Sequence, residues 1–194
     1  MGHKITIIDG HPDPGPDRFC HALADAYATG ARDGGHEIRC INLAQVEIPM
    51  LRTQKEFEEG PIVPNVKAAQ EDIQWANHLV IIYPLWLGTM PALLKAFLEQ
   101  TIRPGFAFDA ARKGWPKKLL RSRSARIIVT MGMPAFWYRW YFLSHSLRSL
   151  ERNILKFCGI KPIGESIFGM VEAASDAQRA KWIEKTRELG RKAR

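Results

Sequence analysis

Only three of the 194 residues are cysteines, Cys20, Cys40 and Cys158. Their odd number and the lack of any C-x-x-C spacing exclude a disulfide framework and a structural zinc site, and a reducing compartment fits. His3, His21, His36 and His78 are scattered singly, so no cluster has metal-ligand spacing and no metal is expected. G-x-G-x-x-G, G-x-x-x-x-G-K-[ST] and G-x-S-x-G are all missing, which removes the dinucleotide fingerprint, the P-loop and the nucleophile elbow. No apolar run approaches the roughly 20 residues of a membrane span and no leader precedes the first strand, so a soluble, cytoplasmic protein is expected. Acidic residues are absent from Ala110 to Leu150, a stretch with nine Lys or Arg (Arg112, Lys113, Lys117, Lys118, Arg121, Arg123, Arg126, Arg139, Arg148), whereas the rest of the chain is near neutral. The asymmetry reads as a solvated basic face, or as a contact for a nucleotide phosphate or, peripherally, an acidic membrane surface. No nucleic-acid reading module accompanies it.

What is present is an alternation of short apolar strands and amphipathic helices. Leu79 to Tyr83 is an unbroken apolar run that reads as a strand buried on both faces; Pro84 ends it, an apolar loop follows, and Pro91 opens a helix striped by Leu93, Leu94, Phe97 and Leu98. Ile5 to Asp9 is a first strand, followed by the turn formers from Gly10 to Asp17 and a helix for which Asp17 is a plausible cap. Glu37 to Asn42 is a second strand; Leu43 to Pro64 is a long polar connection, and Asn65 is placed to cap a helix carrying Val66, Ala69, Ile73 and Ala76. Pro104 to Trp115 reads as irregular, Ala125 to Thr130 as a fourth strand, and Trp140 to Phe157 as one amphipathic helix that Ser144 or Ser146 caps if shorter. Lys161 to Phe168 is a weaker fifth strand, and Ser175 with Gln178 forms a capping box for a last helix with Ala180 and Ile183 inward. Five strands alternating with five helices over 46% hydrophobic residues predict a single α/β domain over 1–194, a doubly wound parallel sheet of order 2-1-3-4-5.

In such a sheet ligands bind at the carboxyl edge. Three loops meet there: His11 to Phe19, polar and leading into a helix N-terminus, and the apolar Pro84 to Met90 and Thr130 to Tyr138. A ligand with an anionic tail and a flat ring uses all three, and a flavin nucleotide has that shape.

The run Tyr83-Pro84-Leu85-Trp86-Leu87-Gly88-Thr89-Met90-Pro91-Ala92-Leu93-Leu94-Lys95 resembles the signature of the flavodoxin-like NAD(P)H:quinone oxidoreductases. The opening strand with Gly-His-Pro, Pro104 to Phe108, Thr130-Met131-Gly132 and Phe157-Cys158-Gly159 agree in order and rough spacing. The resemblance implies a flavodoxin-like fold, a homodimer with FMN or FAD at the subunit interface, reduction by NADH or NADPH, and ping-pong reoxidation by a quinone-like acceptor. The short chain and modest 43–64 connection tilt the choice toward FMN. Carried over by position, Arg18-Phe19-Cys20 fall where the family has Ser-Phe-Asn beside the flavin phosphate, with His11 nearby. Arg18 is a departure, and a guanidinium can replace the hydroxyl by charge pairing. Pro84, Leu85, Trp86, Leu87 and Gly88 match one flavin-ring loop and Thr130, Met131, Gly132 and Met133 the other, with Gly132-Met133 in place of the more common Gly-Gly. Tyr138 occupies the position of the active-site tyrosine, where it would also touch the flavin, and His145 is the histidine available for the second catalytic position. The aromatic run Phe136 to Phe142 then reads as a dimer interface walling the acceptor pocket. Relatives of the same shape reduce azo or nitro compounds, serve as ancillary subunits of membrane transporters or, as flavodoxins, carry electrons; the last tend to be acidic.

Overall fold

The structure, a computed structural model, describes residues 2–109 and 116–194; Arg112, Lys113 and Trp115 of the basic and irregular stretches lie outside the described residues. The strands in chain order are β1 (Lys4–Asp9), β2 (Glu37–Asn42), β3 (His78–Pro84), β4 (Phe108–Asp109), β5 (Lys117–Lys118), β6 (Ser124–Thr130) and β7 (Ile163–Phe168). Five of them pair in parallel in the order β2-β1-β3-β6-β7, the flavodoxin-like 2-1-3-4-5 arrangement, while β4 and β5 form a small antiparallel pair. Every residue of β3 is buried, because helices cover both faces of the sheet there. No helix of the described residues is long and apolar enough to cross a membrane.

One face is covered by α1 (Phe19–Asp33) and α8 (Asp176–Arg191). Leu23, Tyr27 and Ala31 of α1 lie on Ile5, Ile7, Val80 and Ile82, and Trp182 of α8 sits against Phe19 and Phe168. The two helices touch backbone to backbone: a Cβ on Gly30 would strike the Arg187 carbonyl, and one on Gly190 the Tyr27 carbonyl. The other face carries α3 (Pro64–Trp75), α4 (Ala92–Thr101) and the segment of α5 (Ala135–Trp140), α6 (His145–Ser149) and α7 (Lys156–Cys158).

Several local expectations change. Arg18, not Asp17, is the N-cap of α1, and no side chain caps it. Val63 precedes α3 with Pro64 in its first turn, so Asn65 lies inside the helix. The long connection after β2 is partly helical, with α2 (Gln54–Glu59), and is tied down by buried Arg103, whose guanidinium donates to the carbonyls of Phe57 (2.8 Å), Gly60 (2.9 Å) and Glu56. Residues 104–109 are not all irregular, since β4 begins at Phe108. The predicted helix from Trp140 to Phe157 is broken. Leu143 and Ser144 adopt left-handed backbone (φ 51° and 50°), and a π-helical turn over Leu150–Leu155 joins α6 to α7. That wider turn moves the inward position from Ile154 to Leu155, so Leu147, Leu150 and Leu155 are fully buried while Trp140 and Leu143 face outward. In α8 the Ser175 hydroxyl accepts from the Gln178 N–H (3.3 Å), but Ala180 is exposed; the inward face is Trp182, Thr186, Leu189 and Gly190.

Burial pushes the thiols of Cys20 and Cys158 up to about 12; it also raises the Cys40 thiol, but that residue is exposed on the outer strand β2. One thiol is therefore expected to react with an aromatic disulfide reagent in the native protein at pH 8, and three after unfolding. Two rapidly reacting native thiols would contradict the packing around Cys20 or Cys158.

Candidate functional site

The ladder of the sheet continues past the strand ends and draws the loops together. Gly10 N–H donates to the Ile82 carbonyl (2.7 Å), Leu85 N–H to Thr130 (2.7 Å), Met131 N–H to Phe168 (2.9 Å) and Val171 N–H to Met131 (3.2 Å). The Cys20 thiol lies 3.3 Å from the Thr130 hydroxyl, and the His11 ring meets Trp86 edge-on at 5.7 Å between centroids. Between these loops opens a cleft of about 290 Å³. It is lined by His11, Arg18, Phe19 and Cys20 from the first loop, Pro84, Leu85 and Trp86 from the second, and Thr130, Met131 and Gly132 from the third, together with Asp17, Val171, Glu172 and Arg179.

The two ends of the cleft differ chemically. At the α1 end the helix starts without a side-chain cap, and among the described residues no acceptor takes the N–H groups of Phe19 and Cys20. Free first-turn N–H groups and the helix dipole favour an anion at that position. Arg18 stands beside them, 2.7 Å from Asp13, and Arg179 reaches in from α8. The Nη2 of Arg179 donates to the main-chain carbonyl of Glu172 (3.2 Å); its Nε is buried and finds no partner among the described residues. The other end is flat and mostly apolar, with Pro84, Leu85, half-exposed Trp86 and Met131, and at Gly132 an added Cβ would meet nothing within 4 Å.

Titration of the first loop follows from its contacts. Burial, then the neighbouring His21, holds His11 below the usual histidine range, which leaves its Nδ1 free to accept the Asp13 N–H at 3.1 Å. The Gly15 N–H, then Arg18, keeps the Asp13 carboxyl below the usual carboxylate range.

Ten of the residues predicted for the site are brought together in this cleft; Leu87, Gly88, Met133, Tyr138 and His145 are not. Leu87 and Gly88 form the tip of a two-residue turn closed by reciprocal bonds between Trp86 and Thr89 (2.8 and 2.9 Å), with φ of 46° and 79°. Leu87 points into solvent on the far side, at the edge of a second, apolar cleft of about 480 Å³ that shares Trp86 and includes Met90, Pro91, Lys95, Ser146 and Ile154. Met133 packs on the core. Tyr138 is fully buried: α5 turns it inward, and its hydroxyl accepts the Leu147 N–H at 3.2 Å. It fastens α6 and does not reach the cleft. His145 is exposed, its Nδ1–H donating to the Phe142 carbonyl (3.0 Å), and it stands over Gly88 outside the cleft.

The sequence reading missed Asp17, Val171, Glu172 and Arg179. A general signal existed: all parallel strands end on one edge, so the turn after the fifth strand belongs to the crevice as much as the other three.

A family model described as flavodoxin-like fold matches residues 3–189. An uncharacterized NAD(P)H oxidoreductase of Haemophilus influenzae is 24% identical over 188 residues, 95% of this chain and 91% of that protein. The FMN-dependent NADH:quinone oxidoreductase of Ruegeria pomeroyi is 27% identical over 145 residues, 67% of this chain and 71% of that one. Among solved structures, an NAD(P)H:quinone oxidoreductase from Methanothermobacter marburgensis superposes with a TM-score of 0.81 at 21% identity, covering 98% of this chain and 96% of that one, a likeness of fold.

Proposed function

Because the chain belongs to the Flavodoxin_2 family of flavodoxin-like folds, we propose that it is a flavin-dependent NAD(P)H oxidoreductase, with FMN as its cofactor and a quinone or related compound as acceptor, working by a ping-pong cycle. The observation that carries this reading is the two-ended cleft: an uncapped helix N-terminus where Arg18 and Arg179 stand among Asp17 and Glu172, and a flat apolar end walled by Pro84, Leu85 and Trp86. The residues fit the group. The unbonded N–H groups of Phe19 and Cys20 and the unpartnered Nε of Arg179 mark an anion position, and the open space at Gly132 leaves room for a ring. When bound, flavin supplies the hydride relay between nicotinamide and acceptor. The chain's own part is to hold the phosphate with Arg18, Arg179 and the α1 N-terminus, and to keep one face of the ring dry against Trp86 and Met131. Phe136, Trp137, Trp140, Tyr141 and Leu143 are exposed on one segment, and we assign them to the face at which two copies pair.

The test is uptake of FMN, FAD and riboflavin by the apoprotein, followed by menadione reduction with NADH and with NADPH. FMN is expected to bind and support turnover. Arg18→Ala and Arg179→Ala are each expected to weaken FMN about tenfold to a hundredfold, the worth of a hydrogen bond to a charged group, and to leave riboflavin binding unchanged. A protein that takes up no flavin overturns the proposal.

A further inference from the structure

Both ring nitrogens of His21, in the first turn of α1, face oxygen atoms. Nδ1 meets the carboxylate of Asp9 at the end of β1, and Nε2 lies 2.9 Å from the Asp13 carbonyl in the loop between them. A carbonyl and an ionised carboxylate accept only, and a neutral imidazole has a single N–H, so only the imidazolium satisfies both contacts. The same groups run on to the cleft. Asp9 Oδ1 accepts the His11 N–H (3.2 Å), His11 Nδ1 accepts the Asp13 N–H (3.1 Å), Asp13 Oδ1 accepts the Gly15 N–H (2.8 Å), and Asp13 Oδ2 holds Arg18 at 2.7 Å.

We infer that His21, as an imidazolium bridging Asp9 and the Asp13 carbonyl, is a positioning residue that fixes loop 11–18 in its anion-holding shape, and that loss of its proton releases the loop and weakens the phosphate end of the cleft. The inference rests on the flavin reading above for the identity of the anion. It does not rest on that reading for the state of the loop.

The groups facing His21 are Asp9 on β1, His11 and Asp13 in the loop and Asp25 on its own helix. Burial works against its charge; the hydrogen bonds to Asp9 and Asp13 and the charges of Asp9 and Asp25 outweigh burial and set its pKa above the usual 6.5. The sign follows. The clamp is complete below the unfolded value and is lost as pH rises through the folded one. Protonation of His11 and the second ionisation of the phosphate, near pH 6, act on the acid side, so an alkaline step belongs to His21.

The test reads side-chain nitrogen shifts of His21 and amide hydrogen exchange of residues 11–18 in the apoprotein, and FMN and riboflavin affinities from pH 6 to 9, for the wild type and His21→Gln. Expected are two protonated ring nitrogens at pH 7, a rise in exchange through the pKa of His21, and a fall in FMN affinity of about tenfold over the same range, the worth of one charge-assisted hydrogen bond, with riboflavin flat. His21→Gln should show the weaker FMN affinity at pH 7 and no alkaline step, and Asp9→Asn should lower the His21 pKa. A neutral His21 at pH 7, a step that persists in His21→Gln, or equal weakening of FMN and riboflavin overturns the inference. If neither flavin binds, the function proposed above fails, while nitrogen shifts and loop exchange still decide whether His21 is the clamp.

Discussion

Gly132→Trp is expected to weaken flavin binding at least about a hundredfold while moving the thermal midpoint by less than about 2 °C, the range of an unstrained surface change. Gly132 is exposed, its φ lies outside the left-handed region, and a Cβ there meets nothing within 4 Å, so the backbone accepts a side chain without cost. Gly132 lines the cleft with Met131 and Trp86, so an indole placed there can fold into its mouth. A hundredfold corresponds to about 2.7 kcal/mol, a modest charge for closing a ring site. Gly88 provides the contrast. It lies on the far side of the Trp86–Thr89 turn at φ 79°, so Gly88→Trp should strain the turn by about 1–2 kcal/mol and leave occupancy nearly intact. Flavin titration of the apoproteins, read beside thermal melts, separates the two. An unchanged flavin dissociation constant in Gly132→Trp would mean that the ring lies elsewhere.

The largest loss of stability is expected at Gly30. It faces the Arg187 carbonyl across the contact of α1 and α8, and both partners are backbone, so no flexible side chain can give way. Gly30→Val should cost about 3 kcal/mol or more, the upper range of overpacking, or roughly 6–12 °C in thermal midpoint for a chain of this size. Gly35→Ala, where φ is 74° but nothing stands within 4 Å, should cost only about 1 kcal/mol. Denaturant unfolding of the two variants measures the difference. Equal losses would mean that the helices do not touch where described.

The sheet was legible because its evidence is local: β-branched apolar runs at Ile5, Leu79 and Ala125, each ended by turn formers or proline, give strands without reference to anything distant. The run Trp140 to Phe157 misled for the opposite reason. Its three- and four-residue spacing is genuine, but two left-handed residues and a π-helical turn interrupt it, and neither Leu143 nor Ser144 is a residue type that announces φ above zero. The burial of Tyr138 was not legible either, because it depends on the packing of α5 against α6, where its hydroxyl accepts the Leu147 N–H. In the cleft, three walls were readable as motifs. The fourth was not, because Val171 and Glu172 carry no turn signature and Arg179 is one of many charged residues on a polar helix; only tertiary placement separates its guanidinium from the others. His21 was equally silent, a lone histidine whose two acceptors lie in the strand and loop just before its helix and meet it only once the chain has turned back.

Arg18 and Arg179 flank one cleft yet are separated by most of the polypeptide. Arg18 follows the first strand of the sheet, whereas Arg179 is translated only after all five. If the cleft holds a phosphate as proposed, only half of its grip exists until the sheet that carries its walls has been made.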